Sequence, residues 1–134
     1  RTSVIYSEAP GTFFSWVRDS LSKGETIRVV TDQISNPTWT WSISEAIYKL
    51  ILNNLDGLYH FAGDDILSRY EFALKIAKIY GCNPKRIIPI KTKELKQLAD
   101  RPLSSVLNSD KIKSHINIEH PSMDSIIKKI KENE

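Results

Sequence analysis

The sequence is poor in the residue types that most often announce chemistry. A single cysteine, Cys82, stands among 134 residues. One thiol excludes an internal disulfide framework and a multi-cysteine zinc site, and Cys82 near a helix end reads as a quiet thiol rather than a nucleophile. The five glycines are isolated, so neither G-x-G-x-x-G nor G-x-x-x-x-G-K-[ST] occurs. His60, His115 and His120 sit apart, without H-E-x-x-H or any other metal-ligand spacing. Apolar runs last only a few residues, too short to span a membrane. A formal charge of +3 and a pI near 9.0 are too mild to argue for nucleic acid.

A search for a reaction centre also comes back empty. His60 lies in an apolar stretch and reads as a hydrogen-bonded core residue. The adjoining carboxylates Asp64 and Asp65 fall in a turn, where such pairs are commonly solvated. A tyrosine acting as proton donor is served by a lysine one helical turn on. Tyr70 and Lys75 are one residue too far apart to share that face. Read alone, the chain offers no catalytic residue and no metal ligand set.

What is there is an ordinary globular composition, 40% hydrophobic and 26% charged. That length suits one domain with a real core. The sequence opens Arg1-Thr2-Ser3-Val4-Ile5-Tyr6, without initiator methionine or signal peptide. Thr2 to Tyr6 alternates and branches like a strand within a sheet, and we read the start as a cut through a larger protein. Turn residues through Gly11 lead to a helix from Thr12 to Lys23-Gly24, its apolar face made by Phe13, Phe14, Trp16, Val17 and Leu21. Thr26–Thr31 is a β-branched strand, and Asp32 to Thr38 a loop stiffened by Pro37. A second helix spans about 42–54, with Ile43, Ala46, Ile47, Leu50 and Ile51 as its stripe.

Leu58 to Ala62 reads as a buried strand. Ser68-Arg69-Tyr70-Glu71 is a capping box that opens a third helix through Tyr80, with Gly81 as its stop. Arg86–Ile90 is strand-like and Thr92–Leu98 a short helix. An irregular stretch from Arg101-Pro102 to Asn108 precedes a helical turn at 109–114 and an amphipathic helix at 122–131. Strands alternating with helices give an α/β class, and the few scattered strands suggest a small lobe packed on something else.

The informative residues form an ordered series: Arg1–Tyr6, Thr12-Phe13-Phe14, Val30 to Trp39, Gly57 to Gly63, Ser68 to Ala73, Ile88-Pro89-Ile90 and Arg101 to Leu107. In this order and at these separations the chain resembles the C-terminal half of the dTDP-4-dehydrorhamnose reductase family, within the extended short-chain dehydrogenase/reductases. The match covers nearly the whole sequence. It implies a late Rossmann strand joined to a small α/β substrate-binding lobe over 1–134, with 1–6 and part of 26–62 adding strands to the Rossmann sheet. The dinucleotide-binding N-terminal half, with its glycine-rich loop and Tyr/Lys pair, is absent from this chain. NADP or NAD would be held mainly by that half, and the chain's partners would be a nucleotide-sugar and its own Rossmann half. The resemblance further implies a cytoplasmic protein that could form a homodimer, with no nucleic-acid or membrane partner.

The resemblance places Thr2 and Ser3 near the nicotinamide, although a Thr-Ser pair equally well just ends a strand. Thr12 and Phe13 read either as backbone donors to a pyrophosphate or as an N-cap with a core aromatic. Gln33, Pro37 and Thr38 would line the nucleotide-sugar cleft, where an amide both donates and accepts. Arg101 offers the planar fork that a diphosphate needs, or else a surface salt bridge. The sequence departs from the family pattern at three positions. Val4 stands in the substrate site where a tryptophan is usual, Thr12 replaces an asparagine, and Arg69 replaces a tryptophan. The parent would reduce a dTDP-linked 4-keto sugar, dTDP-4-dehydro-6-deoxy-L-mannose, to dTDP-L-rhamnose. The alternatives are a binding subunit like the β subunit of methionine adenosyltransferase, or a related epimerase or dehydratase.

Overall fold

The computed structural model describes residues 1–95 and 98–134. Its strands are short and come in three parallel or antiparallel pairs among the described residues. β1 (Ile5–Tyr6) runs parallel to β4 (Thr38–Trp39), with Ile5 opposite Thr38. β2 (Ile27–Val30) runs parallel to β6 (Ile87–Ile90) over four residue pairs. β3 (Ile34–Ser35) is antiparallel to β5 (Leu67–Ser68). The helices are α1 (Phe13–Ser22), α2 (Thr40–Leu52), α3 (Arg69–Tyr80), α4 (Asp110–His115) and α5 (Met123–Glu132). The chain is an α/β protein, as its pattern implies.

Helix ends follow local chemistry. The Ser68 hydroxyl accepts from the Glu71 N–H while the Glu71 carboxylate accepts from the Ser68 N–H, closing the expected capping box. Gly81 ends α3 at φ +71°, a left-handed conformation that costs glycine little. Thr12 caps α1 in the same reciprocal way with Ser15.

The main core joins α1, α3 and α5 to β2. Phe14, Val17, Phe72, Ile76, Ile126 and Ile127 are fully buried there. Tyr6 from β1 enters the same core, edge-on to Phe72 at 5.1 Å between ring centres. A smaller cluster gathers Ala46, Phe61, Ile112, Ile116 and Ile118 beneath α2. No helix of the described residues is long and apolar enough to cross a membrane.

Several boundaries differ from the sequence reading. The opening strand shrinks to Ile5–Tyr6, because the chain bends at Ser3, whose hydroxyl donates to the Ser105 carbonyl at 2.8 Å. Leu58–Ala62 makes no ladder. Among the described residues its backbone exchanges backbone hydrogen bonds with Arg1 alone, whose amino group donates to the Tyr59 carbonyl and whose carbonyl accepts from the Phe61 N–H. One residue's exchange is too little for a strand pair. The 32–38 loop in fact holds β3 and ends on the first residue of β4, and α2 begins two residues early at Thr40. The helix expected over 92–98 is a single 3₁₀ turn at Thr92–Glu94, and the rest of that span falls partly outside the described residues. On α2, Ala46 is buried, but Ile47 and Ile51 face outward at 53% and 68% exposure.

Candidate ligand-binding site

Four separate segments converge on one cavity of about 210 Å³. It is lined by Val4, Gln33, Ile34, Ser35, Arg69, Arg101, Pro102 and Ser105. Backbone hydrogen bonding sets their positions. The Ile34 N–H donates to the Leu103 carbonyl at 2.8 Å, and the Ser105 N–H donates to the Ile34 carbonyl at 2.9 Å. The irregular segment after Arg101 therefore runs beside β3 as an added strand, with a bridge between Ile34 and Ser104. The Arg69 N–H donates to the Gln33 carbonyl at 3.2 Å, tying the start of α3 to the same edge.

Two further anchors hold the walls. The Gln33 amide donates to the Thr92 hydroxyl at 3.2 Å. Beside it the Asp32 carboxylate accepts from the Thr92 hydroxyl at 2.8 Å and from its backbone N–H. The Thr92 hydroxyl bond is the main reason the Asp32 carboxyl titrates below its ordinary range.

The cavity is electropositive. The Arg69 guanidinium lies 4.8 Å above the Phe13 ring, which itself packs on Phe72. Burial lowers the Arg69 pKa, and the neighbouring Arg101 charge lowers it further. Among the described residues no carboxylate forms an ion pair with Arg69 or Arg101. Two guanidinium groups with no carboxylate paired to them among the described residues, beside hydroxyl and amide groups, can hold an anion.

Of the residues anticipated from sequence, Val4, Gln33 and Arg101 line this cavity. Phe13 reaches it by carrying Arg69 on its ring. Ser3 stands one hydrogen bond behind the wall, through Ser105. Thr2 donates to the Ser3 carbonyl at 3.3 Å and does not line the cavity. The Thr12 hydroxyl is committed to the α1 cap and the Ser7 carbonyl. Thr38 is fully buried, donating to the Asn36 carbonyl and accepting from the Gly63 N–H. Pro37 is buried with its carbonyl against Gly63. Arg69 was visible in the sequence only as a departure from the family pattern, and nothing local marked it as a neighbour of Arg101.

A larger groove of about 750 Å³ lies between α2 and α5, lined by Trp39, Trp41, Tyr48 and Lys129 among others. It shares no residue with the arginine cavity, and its open aromatic rim lacks the paired cations that give the smaller cavity a defined chemistry.

An α/β lobe whose sheet edge gathers a two-arginine cavity has the chemistry to hold an anionic small molecule. Comparison with known proteins gives it a family. Residues 1–133 match the RmlD substrate binding domain, and the chain belongs to that family. The spore coat polysaccharide biosynthesis protein SpsK of Bacillus subtilis is 34% identical over 81% of this chain and 38% of its own length. A dTDP-4-dehydrorhamnose reductase of Mycolicibacterium smegmatis is 28% identical over 83% of the chain and 35% of its own length. The chain thus spans well under half of these relatives. Among solved structures, the dTDP-4-dehydrorhamnose reductase of Bacillus anthracis in complex with NADP superposes with a TM-score of 0.91 at 28% identity, over all of this chain and 47% of that one.

Proposed function

We propose that this chain is the nucleotide-sugar-binding portion of an NAD(P)H-dependent reductase that converts dTDP-4-dehydro-6-deoxy-L-mannose to dTDP-L-rhamnose. The observation that carries the reading is the meeting of Val4, Gln33 and Arg101 in one anion-suited cavity, in a chain of this family. Relatives named as dTDP-4-dehydrorhamnose reductases and as a dTDP-4-keto-6-deoxy-D-glucose reductase support the substrate class. The NADP held by the Bacillus anthracis enzyme supports the cofactor class.

In this reading the chain's own residues bind and orient. Arg101 pairs with phosphate oxygens and Gln33 meets a sugar or base edge. Val4 leaves room where a larger side chain would press on the sugar ring. Hydride and proton donors belong to a dinucleotide-binding half outside this sequence. The exchange between Arg1 and the 59–61 backbone, and the exposure of Ile5 and Leu58, support 1–6 and the region near 58–62 as edges of that half's sheet. A cytoplasmic site of action belongs to the same proposal.

The test is NADPH oxidation by the full-length protein on addition of dTDP-4-dehydro-6-deoxy-L-mannose. Turnover is expected. No oxidation with this or any other dTDP-linked 4-keto sugar would overturn the reading and favour a binding role.

A further inference from the structure

We propose that Arg69 is a second phosphate-reading side chain, which with Arg101 makes the cavity selective for a diphosphate over a monophosphate. The inference rests on the nucleotide-sugar reading and adds a specificity-determining residue to it.

The argument begins with where Arg69 stands. It is the first residue of α3, and its N–H is tied to the Gln33 carbonyl, so its backbone belongs to the cavity edge. Its guanidinium lies over the Phe13 ring. Stacking uses the face of the group and leaves its in-plane N–H donors for other partners. Arg101 lines the same cavity from the opposite strand of chain.

A packing role alone does not account for this arrangement. A half-buried guanidinium loses hydration, and here it stands beside a second positive charge with no carboxylate paired to either among the described residues. An uncharged side chain would cover Phe13 without that cost. Two forks facing one small cavity are instead matched to a ligand that presents two adjacent anionic groups. A diphosphate does so, whether it is part of a nucleotide or free. A monophosphate satisfies one fork and leaves the other charge uncompensated, and this difference is the basis of the selectivity.

The experiment measures calorimetric affinities of the full-length protein for dTDP, dTMP and inorganic pyrophosphate, in the wild type, Arg69→Gln and Arg69→Lys. The wild type should prefer dTDP to dTMP. Arg69→Gln should lower dTDP affinity about tenfold or more while changing dTMP affinity by less than about threefold, collapsing the preference. Arg69→Lys keeps the charge without the fork and should retain part of it. Thermal melting of each variant separates a folding defect from a binding one. If Arg69→Gln keeps the wild-type dTDP to dTMP ratio, or if both affinities fall equally, the proposal is overturned. Pyrophosphate binding that depends on Arg69, without nucleotide binding, upholds the two-fork cavity and sinks the nucleotide-sugar reading. Wild-type protein that binds none of the three probes sinks both.

Discussion

The side-chain amide of Asn36 closes two hydrogen bonds on the backbone of Leu107, donating to its carbonyl at 2.9 Å and accepting from its N–H at 3.1 Å. The two residues are 71 positions apart. Asn36 is itself buried between β3 and β4, so this one side chain clips the irregular 101–108 segment to the sheet edge. Arg101 has no regular secondary structure around it and depends on such clips for its position.

Asn36→Ala should therefore destabilise the protein by about 1–3 kcal/mol, because the Leu107 N–H and carbonyl lose their partner. It should also weaken ligand binding without touching the ligand. Asn36→Asp should do no better, since a carboxylate cannot donate to the Leu107 carbonyl. Urea unfolding and dTDP titration check both points. Wild-type stability in Asn36→Ala would show that the 101–108 segment is held by other means.

Arg101→Ala in the full-length protein should lower nucleotide-sugar affinity by about 1.5–3 kcal/mol, the usual cost of losing a charge-assisted hydrogen bond. Calorimetric titration reads this directly. Unchanged affinity would assign Arg101 a purely structural role.

His120 gives stability a pH dependence. Its Nε2 accepts from the Trp39 N–H at 3.2 Å, and its Nδ1 faces the Pro121 carbonyl at 2.9 Å, a network that suits the neutral ring protonated at Nδ1. Burial is the main cause of a pKa below the ordinary histidine value. The unfolded chain, with a histidine pKa of about 6.5, then binds more protons than the folded one. This contribution is fully present above pH ~6.5 and is lost as the pH falls towards the folded pKa. Denaturant unfolding across this range should show stability falling more steeply for the wild type than for His120→Gln. Parallel curves would mean that His120 does not titrate in this window.

Gly63→Ala tests a close backbone approach. A Cβ at this position would be driven into the Pro37 carbonyl, and the Gly63 N–H is also held by the Thr38 hydroxyl. Neither backbone can yield freely, so a cost of about 1–3 kcal/mol is expected in urea unfolding. A neutral substitution would show that the 62–66 segment shifts without penalty.

Local signals were the ones that could be read before the fold was known. The capping box at Ser68 and Glu71 and the glycine stop at Gly81 involve neighbours in sequence, so their chemistry is complete within one or two turns. Leu58–Ala62 reads as a strand because its residues suit one, yet a strand also needs a backbone partner, and among the described residues only the backbone of Arg1 pairs with it. Ile47 and Ile51 follow the helical period correctly, but the period does not say what covers them.

The same division runs through the site. The alternation of strand-like and helical segments determined the α/β class, and the ordered family series brought Val4, Gln33 and Arg101 into view. Only the tertiary structure decided which polar groups remain available to a ligand. It spends the Thr12 and Thr38 hydroxyls on backbone groups and sets Arg69 beside Arg101, because hydrogen-bond satisfaction and the meeting of like charges depend on contacts between distant segments.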